Sequence, residues 1–167
     1  MKCEKCTASI ALDAKFCPNC GEKVQMFNEG MNGFEVSIKW LISIFKKLGY
    51  DEVEVSSDGT GFVGKHKERY NFDVNLNTAL KVITISSNFG MDKNNVSDGY
   101  KLQNTVMKAN SLSLLGIFSL TDDNKVLTTT HINLTELIIE RDIVVYLDNY
   151  EKSILHIMNT TGLNNFV

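Results

Sequence analysis

All four cysteines of the chain lie within its first 20 residues, and this clustering constrains the fold of that segment more than any other feature. Cys3 and Cys6 form one Cys-x-x-Cys pair, and Cys17 and Cys20 form a second pair after ten intervening residues. Each pair can close a tight turn that directs two sulfurs at one point, and four such sulfurs are the tetrahedral ligand set of structural Zn²⁺. Because four protein ligands leave no position for substrate, we expect such an ion to be structural rather than catalytic.

Three other roles for these cysteines fit the sequence less well. Disulfides suit secreted proteins, whereas Met1 is followed by charged Lys2 and Glu4 rather than by an apolar signal segment, so a cytoplasmic protein with reduced thiols is expected. A redox-active Cys-x-x-Cys motif normally lies between a strand and a helix of a larger α/β unit. Iron in a rubredoxin-like site uses the same four ligands, so the spacing leaves iron open. Zinc is favoured because the segment is short and has no redox context.

The segment around the second pair resembles the bacterial short zinc-ribbon family, and the resemblance covers residues 1–24. The motif runs from Phe16 to Gly21, where Pro18 stiffens the turn and Gly21 can adopt the positive φ that such a turn requires. Thr7 follows the first pair at a position where glycine is frequent in this family. We therefore expect more backbone strain in the first turn than in the second.

The predicted ribbon is too small to fold by apolar burial alone. Its apolar side chains are few, namely Ile10, Leu12 and Phe16. Metal binding must therefore supply its folding free energy, which is on the order of 10 kcal/mol for structural zinc in isolated fingers.

The composition predicts an ordinary globular domain downstream of the ribbon. The chain has 167 residues, is 43% hydrophobic and carries a formal net charge of −3. After the ribbon, about 130 residues remain, which is enough for one domain with its own core. No stretch approaches the ~20 apolar residues of a transmembrane helix, so we expect a soluble protein without a membrane span. The acidic balance also disfavours nucleic-acid binding.

Hydrophobic periodicity predicts three helices and six short strands after residue 33, in the order helix, four strands, helix, two strands, helix. Helices are predicted at 34–48, 98–109 and 140–159, and strands at 52–56, 61–67, 70–76, 81–88, 112–120 and 125–134. Hairpin-linked strands imply an α+β fold in which an antiparallel sheet carries helices on one face. The predicted organisation is a zinc ribbon at 1–24, a linker at 25–33 and an α+β domain at 34–167.

Three local details accompany this prediction. Gly49 is expected to close the first helix in a left-handed conformation, and Asn110 is expected to do the same for the second. The tail from Thr160 to Val167 is expected to fray.

The second domain resembles the YbjN-like bacterial family, whose fold is related to type III secretion chaperones. The resemblance spans about residues 34–160. It rests on Trp40-Leu41 in an opening helix that ends at Leu48-Gly49-Tyr50, on Gln103-Asn104 in a helix followed by two paired strands, and on Asp142, Leu147 and Tyr150 in a closing helix. It implies a domain that binds other proteins, often as a dimer, and it brings no catalytic residues. The run Thr128–Thr130 and the high asparagine content depart from the family.

The sequence contains no recognisable catalytic constellation. His66, His131 and His156 lack a second histidine or a cysteine at ligand spacing. The pair Asp122-Asp123 is expected to cap a turn, and the segment Asp58–Gly61 is expected to form a hairpin rather than a phosphate-binding loop.

These observations favour a non-enzymatic zinc-binding adaptor or chaperone-like regulator that binds a protein partner and can pair as a homodimer. Two alternatives remain open. The first is a nucleic-acid regulator whose ribbon contacts phosphates. The second is an enzyme with an unrecognised site, which would require a deep polar cleft around His131.

Overall fold

The chain folds into an α+β structure built on one antiparallel sheet. The computed structural model describes residues 3, 5–11, 14–23, 30–91, 99–122, 125–134 and 137–167. Its strands are β1 (Gly30–Met31), β2 (Glu52–Val55), β3 (Gly61–Lys65), β4 (Phe72–Asn77), β5 (Val82–Gly90), β6 (Ile117–Leu120), β7 (Lys125–Asn133) and β8 (Ile138–Ile139). Its helices are α1 (Ile38–Lys47), α2 (Gly99–Leu112) and α3 (Glu140–Thr161), with 3-10 turns at Gly33–Glu35 and Leu163–Asn165.

Strands β2 to β7 form one sheet in the order β2-β3-β4-β5-β7-β6, and each neighbouring pair is antiparallel. This confirms the predicted fold class. A separate two-stranded ladder joins β1 to β8, with Gly30 opposite Ile139. β1 lies inside the predicted linker 25–33, of which residues 25–29 are outside the described chain. The division of the chain at residues 24 and 33 stays a prediction.

The sheet has one buried face and one open face. Strand β4 buries Phe72, Val74 and Leu76 and exposes the polar residues between them, and β5 and β7 alternate in a similar way. Buried side chains of all three helices, such as Phe45 on α1 and Leu147 on α3, join these strand residues in a single core. The helices therefore cover one face, and the other face presents mainly polar side chains.

Helix α3 is attached to β7 through buried hydroxyl groups. The Tyr150 hydroxyl donates to Thr128 Oγ1 at 2.9 Å, and burial raises the pKa of Tyr150 to about 12. The Thr130 hydroxyl forms hydrogen bonds with the Tyr146 hydroxyl and the Leu115 carbonyl. The threonine run that departs from the YbjN-like pattern thus supplies polar partners for two tyrosines of α3.

The first helix begins later than predicted. Helix α1 starts at Ile38 rather than at Phe34, because the Ser37 hydroxyl accepts a hydrogen bond from the Trp40 N–H at 3.3 Å and caps the helix there. The predicted left-handed conformation of Gly49 is confirmed by its φ of +91°.

The strand predicted at 112–120 and the frayed tail are both corrected. Helix α2 continues to Leu112, so β6 begins only at Ile117. In the tail, Leu163 and Phe166 are buried in the main core. Their apolar contacts keep the end of the chain packed.

The free edge of β6 is closed by side chains from α2 and the residues that follow it. β6 is the last strand of the sheet. The Asn110 amide accepts from the Phe118 N–H at 2.7 Å and donates to the Phe118 carbonyl at 2.8 Å. The Ser113 hydroxyl accepts from the Gly116 N–H at 3.2 Å and donates to the Gly116 carbonyl. The prediction that Asn110 ends its helix is wrong, because this residue lies within α2 and takes the place of a neighbouring strand.

Replacing Asn110 with alanine should weaken this edge. The loss of two hydrogen bonds should cost about 1 kcal/mol or more, and the uncovered strand should promote self-association. We expect faster amide hydrogen exchange at Phe118 and concentration-dependent light scattering. Asn104→Ala, at an exposed site on the same helix, is the matched control. Unchanged protection of Phe118 would contradict the assignment.

Candidate functional site

The four cysteine thiols converge on one point in the amino-terminal segment. Their sulfur atoms all lie within 4.8 Å of one another. The Sγ atoms of Cys3 and Cys20 are 3.6 Å apart, as are those of Cys6 and Cys17, and all four thiols are free. A tetrahedral zinc site with Zn–S bonds of about 2.3 Å places its sulfurs roughly 3.8 Å apart. The observed spacing therefore suits a single tetrahedral ion.

The two Cys-x-x-Cys pairs form matching turns. In the first turn, the Thr7 N–H donates to the Cys3 carbonyl at 2.8 Å, and the Cys3 N–H donates to the Ala8 carbonyl at 2.9 Å. The equivalent bonds of the second turn measure 2.9 and 2.8 Å. A β-bridge between Phe16 and Lys23 lies beside the second turn. Sequence spacing within each pair therefore produces the same local geometry twice.

Hydrogen-bond donors around the sulfurs offset the negative charge that thiolates would carry. The Asn19 side-chain amide donates to Cys6 Sγ at 3.5 Å, and this bond is the main cause that lowers the pKa of Cys6 to about 6. Backbone N–H groups also donate, from Ala8 to Cys6 and from Glu22 to Cys20. Such outer-shell donors orient thiolate ligands and stabilise their charge.

An exposed ion pair links the two turns. Lys5 Nζ lies 2.7 Å from Glu22 Oε2. The hydrogen bond to Glu22 raises the pKa of Lys5, and the nearby sulfurs of Cys20 and Cys3 raise it further. A zinc ion with four thiolates has a net charge of −2, so a lysine at this position favours the loaded site. Because the pair is exposed, its contribution to stability is small.

Few apolar side chains support the site among the residues that the structure describes. Cys3, Ile10 and Cys17 are buried together in a cluster separate from the main core. Of the other two apolar side chains counted in the sequence, Phe16 is 60% exposed and Leu12 is outside the described residues. So small a core cannot hold the turns by burial alone, which fits a segment organised by a metal ion.

The predicted strain in the first turn is confirmed. Thr7 has a φ of +59°, whereas the equivalent residue of the second turn, Gly21, has a φ of +68°. A β-branched residue is disfavoured in this left-handed region, while glycine adopts it without penalty.

Separate substitutions at these two positions should change the stability of the ribbon in opposite directions. Thr7→Gly should stabilise the metal-bound ribbon by about 1 kcal/mol and slow metal loss to a chelator. Gly21→Thr should have the reverse effect, and it isolates backbone strain because a Cβ there meets no atom within 4 Å. Chelator competition followed by absorbance measures both rates. Equal rates in the two variants would contradict the strain argument.

The three histidines lie on different elements. His66 follows β3 and its Nδ1 accepts hydrogen bonds from the N–H groups of Glu68 and Arg69, at 2.9 and 3.0 Å. His131 lies on β7 at the open face, with Nδ1 3.1 Å from Thr84 Oγ1. His156 is exposed on α3.

A shallow depression of about 470 Å³ lies elsewhere. It is lined by residues of β8 and α3, among them Arg141, Asp142 and Tyr146. His131 does not line it. His131 itself is exposed on β7, and the enzyme alternative stays a hypothesis.

The segment predicted as a hairpin connects β2 and β3 in that form. Gly59 has a φ of +70°, and the Asp58 carboxylate accepts hydrogen bonds from the Ser56 hydroxyl at 2.6 Å and from the N–H and hydroxyl of Thr60. The carboxylate is therefore engaged by its own turn. Asp122 follows β6 and is exposed, while Asp123 is outside the described residues.

These bonds, first of all the one from Ser56, lower the pKa of Asp58 to about 2. The ordinary value is about 3.9, so the stabilisation of the hairpin should be complete above about pH 4 and be lost as the pH falls through about 2. A carboxyl NMR titration should give a midpoint near 2 for Asp58, and Asp58→Asn should remove this part of the acid sensitivity. A midpoint near the ordinary value would contradict the bonding scheme.

Three ion pairs that the sequence did not indicate join distant segments. Lys47 Nζ contacts both carboxylate oxygens of Glu140, at 2.7 and 3.0 Å, across 93 residues of sequence. Arg69 donates to Glu151 and to Asp148 on α3. Glu140 is fully buried in the first turn of α3. A local sequence pattern cannot predict a contact between residues this far apart in the chain.

No helix in the described ranges is both long and apolar enough to cross a membrane. A scan against protein-family models finds no match, and a search of curated proteins finds no similar sequence.

Solved structures show the relationship at the level of the fold. The crystal structure of YbjN from E. coli, described as a candidate transcription regulator, matches with a TM-score of 0.55 and 12% identity over 78% of this chain and 95% of that chain. The Yersinia pestis type III secretion chaperone SycH, in complex with a fragment of YscM2, matches with a TM-score of 0.45 and 13% identity over 71% and 97%. The second likeness is too distant to support an argument. The first shows that this chain contains a YbjN-like fold.

Proposed function

We propose that the chain is a non-enzymatic adaptor or chaperone-like regulator of the cytoplasm. A ribbon at residues 1–24 holds structural zinc, and after a linker at 25–33 the α+β domain at 34–167 binds a protein partner. The observation that carries the zinc assignment is the convergence of four free thiols within 4.8 Å. Four thiolates this close repel one another unless a cation neutralises them.

Zinc is proposed over iron because the segment is short and has no redox context. The ligands are Cys3, Cys6, Cys17 and Cys20. A structural ion supplies coordination geometry and folding free energy. The chain's own groups orient the ligands, since the Asn19 side-chain amide and the Ala8 N–H both donate to Cys6.

A non-enzymatic role is supported by the setting of the polar residues. Thr84 and His131 form a hydroxyl–imidazole contact, but they lie opposite each other on neighbouring strands of the open face. The His131 carbonyl accepts a hydrogen bond from the Tyr146 hydroxyl at 3.2 Å, so the polar group beside this contact helps to hold α3 on the sheet. A flat, polar sheet face is suited to contact with another macromolecule rather than to enclosing a small substrate.

Nucleic-acid binding is the weaker alternative. The chain has a net charge of −3, and Lys5, one of the ribbon's lysines, is paired with Glu22. Any binding to a duplex should weaken steeply with salt if it is real, and we expect no binding at 150 mM salt, where the Debye length is about 8 Å.

Affinity purification with mass spectrometry tests the adaptor role. The full chain, Cys17→Ser and the control Ser9→Ala, an exposed ribbon site, are expressed with the same tag. We expect a stoichiometric partner with the full chain and the control, and a changed partner set with Cys17→Ser if the ribbon contributes to contact. If repeated purifications yield no stoichiometric partner, this result would count against the proposal. Light scattering on the purified chain tests homodimerisation, the second partner proposal.

A further inference from the structure

The central sheet ends in two edges that differ in how their backbone groups are engaged. At the β6 edge, the outward backbone groups belong to Gly116, Phe118 and Leu120. The Ser113 side chain bonds to those of Gly116, and the Asn110 side chain bonds to those of Phe118. These caps occupy the donors and acceptors that an added strand would need. The β6 edge is therefore largely closed to pairing.

Strand β2 forms the opposite edge. The Ser56 N–H donates to the Gly61 carbonyl at 3.0 Å, which sets the phase of the ladder between β2 and β3. Because hydrogen-bonded and non-hydrogen-bonded pairs alternate in an antiparallel ladder, Glu52 and Glu54 bond to β3. Val53 and Val55 direct their N–H and C=O groups away from the sheet. No side chain of the described residues caps them in the way that Asn110 caps β6.

The two faces of β2 differ in chemistry. Val53 packs against the main core, and Val55 on the same face is 54% exposed. On the other face, the side chains of Glu52 and Glu54 are 73% and 68% exposed. Both carboxylates share one cation, Lys65, at 3.8 and 2.6 Å. Glu52, Glu54 and Lys65 together therefore carry a net charge of −1 on this face.

We propose that the β2 edge binds an extended strand of a protein partner in which cationic and apolar side chains alternate. This inference rests on the proposed partner-binding function and names the surface and the partner's chemistry. An antiparallel strand would place apolar residues opposite Val53 and Val55, in hydrogen-bonded pairs. Lysine or arginine would lie opposite Glu52 and Glu54.

The same charges disfavour a second copy of this chain at the edge. Antiparallel pairing of β2 with β2 would bring two copies of Glu52 and Glu54 onto one face. Like charges directly opposite one another destabilise strand pairing. A heterologous cationic strand gains from the same arrangement.

Peptide binding to the full chain tests the proposal. The probe is a fluorescently labelled eight-residue peptide of alternating valine and lysine, followed by anisotropy. One control has the same composition with all lysines before all valines. Two further peptides carry N-methyl groups either on the valines, whose N–H groups would face β2, or on the lysines, whose N–H groups would face away. We expect the block peptide and the N-methyl-valine peptide to bind at least about tenfold more weakly, and the N-methyl-lysine peptide to bind nearly as well as the parent.

Substitutions in β2 itself test the same edge. Val55→Pro removes one outward N–H and should weaken binding about tenfold, whereas Val55→Ala keeps that N–H and should change it little. The double variant Glu52→Lys/Glu54→Lys should lose the valine–lysine peptide and gain a valine–glutamate peptide. A gain of binding cannot result from misfolding, so this exchange keeps the test decisive if Val55→Pro fails to fold.

Equal binding of all four peptides, or failure of the charge exchange, would overturn the proposal. A dimer of the full chain that Val55→Pro dissociates would also overturn it, because the edge would then belong to a second copy. If affinity purification finds a stoichiometric partner that Val55→Pro still retains, the β2 assignment fails while the adaptor function stands. If no partner is found, it is the adaptor function that fails.

Discussion

Replacing Cys17 with serine should abolish stoichiometric zinc binding and unfold the ribbon, while the α+β domain stays folded. Structural zinc contributes on the order of 10 kcal/mol to a small domain of this kind, and no other interaction here is of that size. Among the described residues of the ribbon, Cys3, Ile10 and Cys17 are the buried members of its apolar cluster, which is separate from the main core.

Elemental analysis and two-dimensional NMR measure this outcome together. The wild-type chain should contain one zinc per molecule, and Cys17→Ser should contain much less, with collapse of the ribbon resonances only. Asn19→Ala is the matched control, since it removes a donor to Cys6 but no ligand, and it should keep the ion. An ordered ribbon in metal-free protein would refute the zinc assignment, and stoichiometric iron would replace zinc in it.

Replacing Lys47 with methionine should destabilise the α+β domain by about 3–5 kcal/mol, because it leaves the buried Glu140 carboxylate without its cation. Glu140 is 0% exposed, and the side chain of Lys47 is only 17% exposed. The pair joins the end of α1 to the start of α3, so its loss should also loosen the contact between these helices. Urea unfolding followed by circular dichroism measures the change in unfolding free energy.

Two further variants separate charge burial from the loss of a side chain. Lys47→Met/Glu140→Leu removes both charges and should recover most of the stability, since an apolar pair of similar volume often replaces a buried ion pair at little cost. Lys152→Met removes an exposed lysine paired with Asp148 at 2.8 Å and should cost less than about 1 kcal/mol. A small effect of Lys47→Met, equal to that of Lys152→Met, would show that Glu140 does not depend on its partner.

Local patterns predicted most elements of the α+β domain. The alternation in Phe72–Leu76 and the three- and four-residue spacing in α3 each reflect a single buried face, so the period alone distinguishes strand from helix. The strain at Thr7 was predictable for the same reason: the turn conformation depends on a few neighbouring residues, and a φ of +59° is unfavourable for threonine wherever the turn occurs.

Predictions failed where a distant contact competes with local propensity. The tail from Thr160 looked free to fray, but Leu163 and Phe166 reach the main core. Asn110 resembled a helix-ending residue, yet its amide bonds to Phe118 on the strand that follows. In both cases a tertiary partner outweighs a local preference of a fraction of a kcal/mol.

The sequence by itself determined the cysteine turns and the type of most helices and strands, because these depend on spacings of a few residues. Only the tertiary structure decided that β7 lies between β5 and β6, that Glu140 pairs with Lys47 and that β2 rather than β6 is the open edge. The reason is physical: each of these outcomes depends on which surfaces meet when the chain becomes compact, and residues far apart in sequence carry no mutual periodicity.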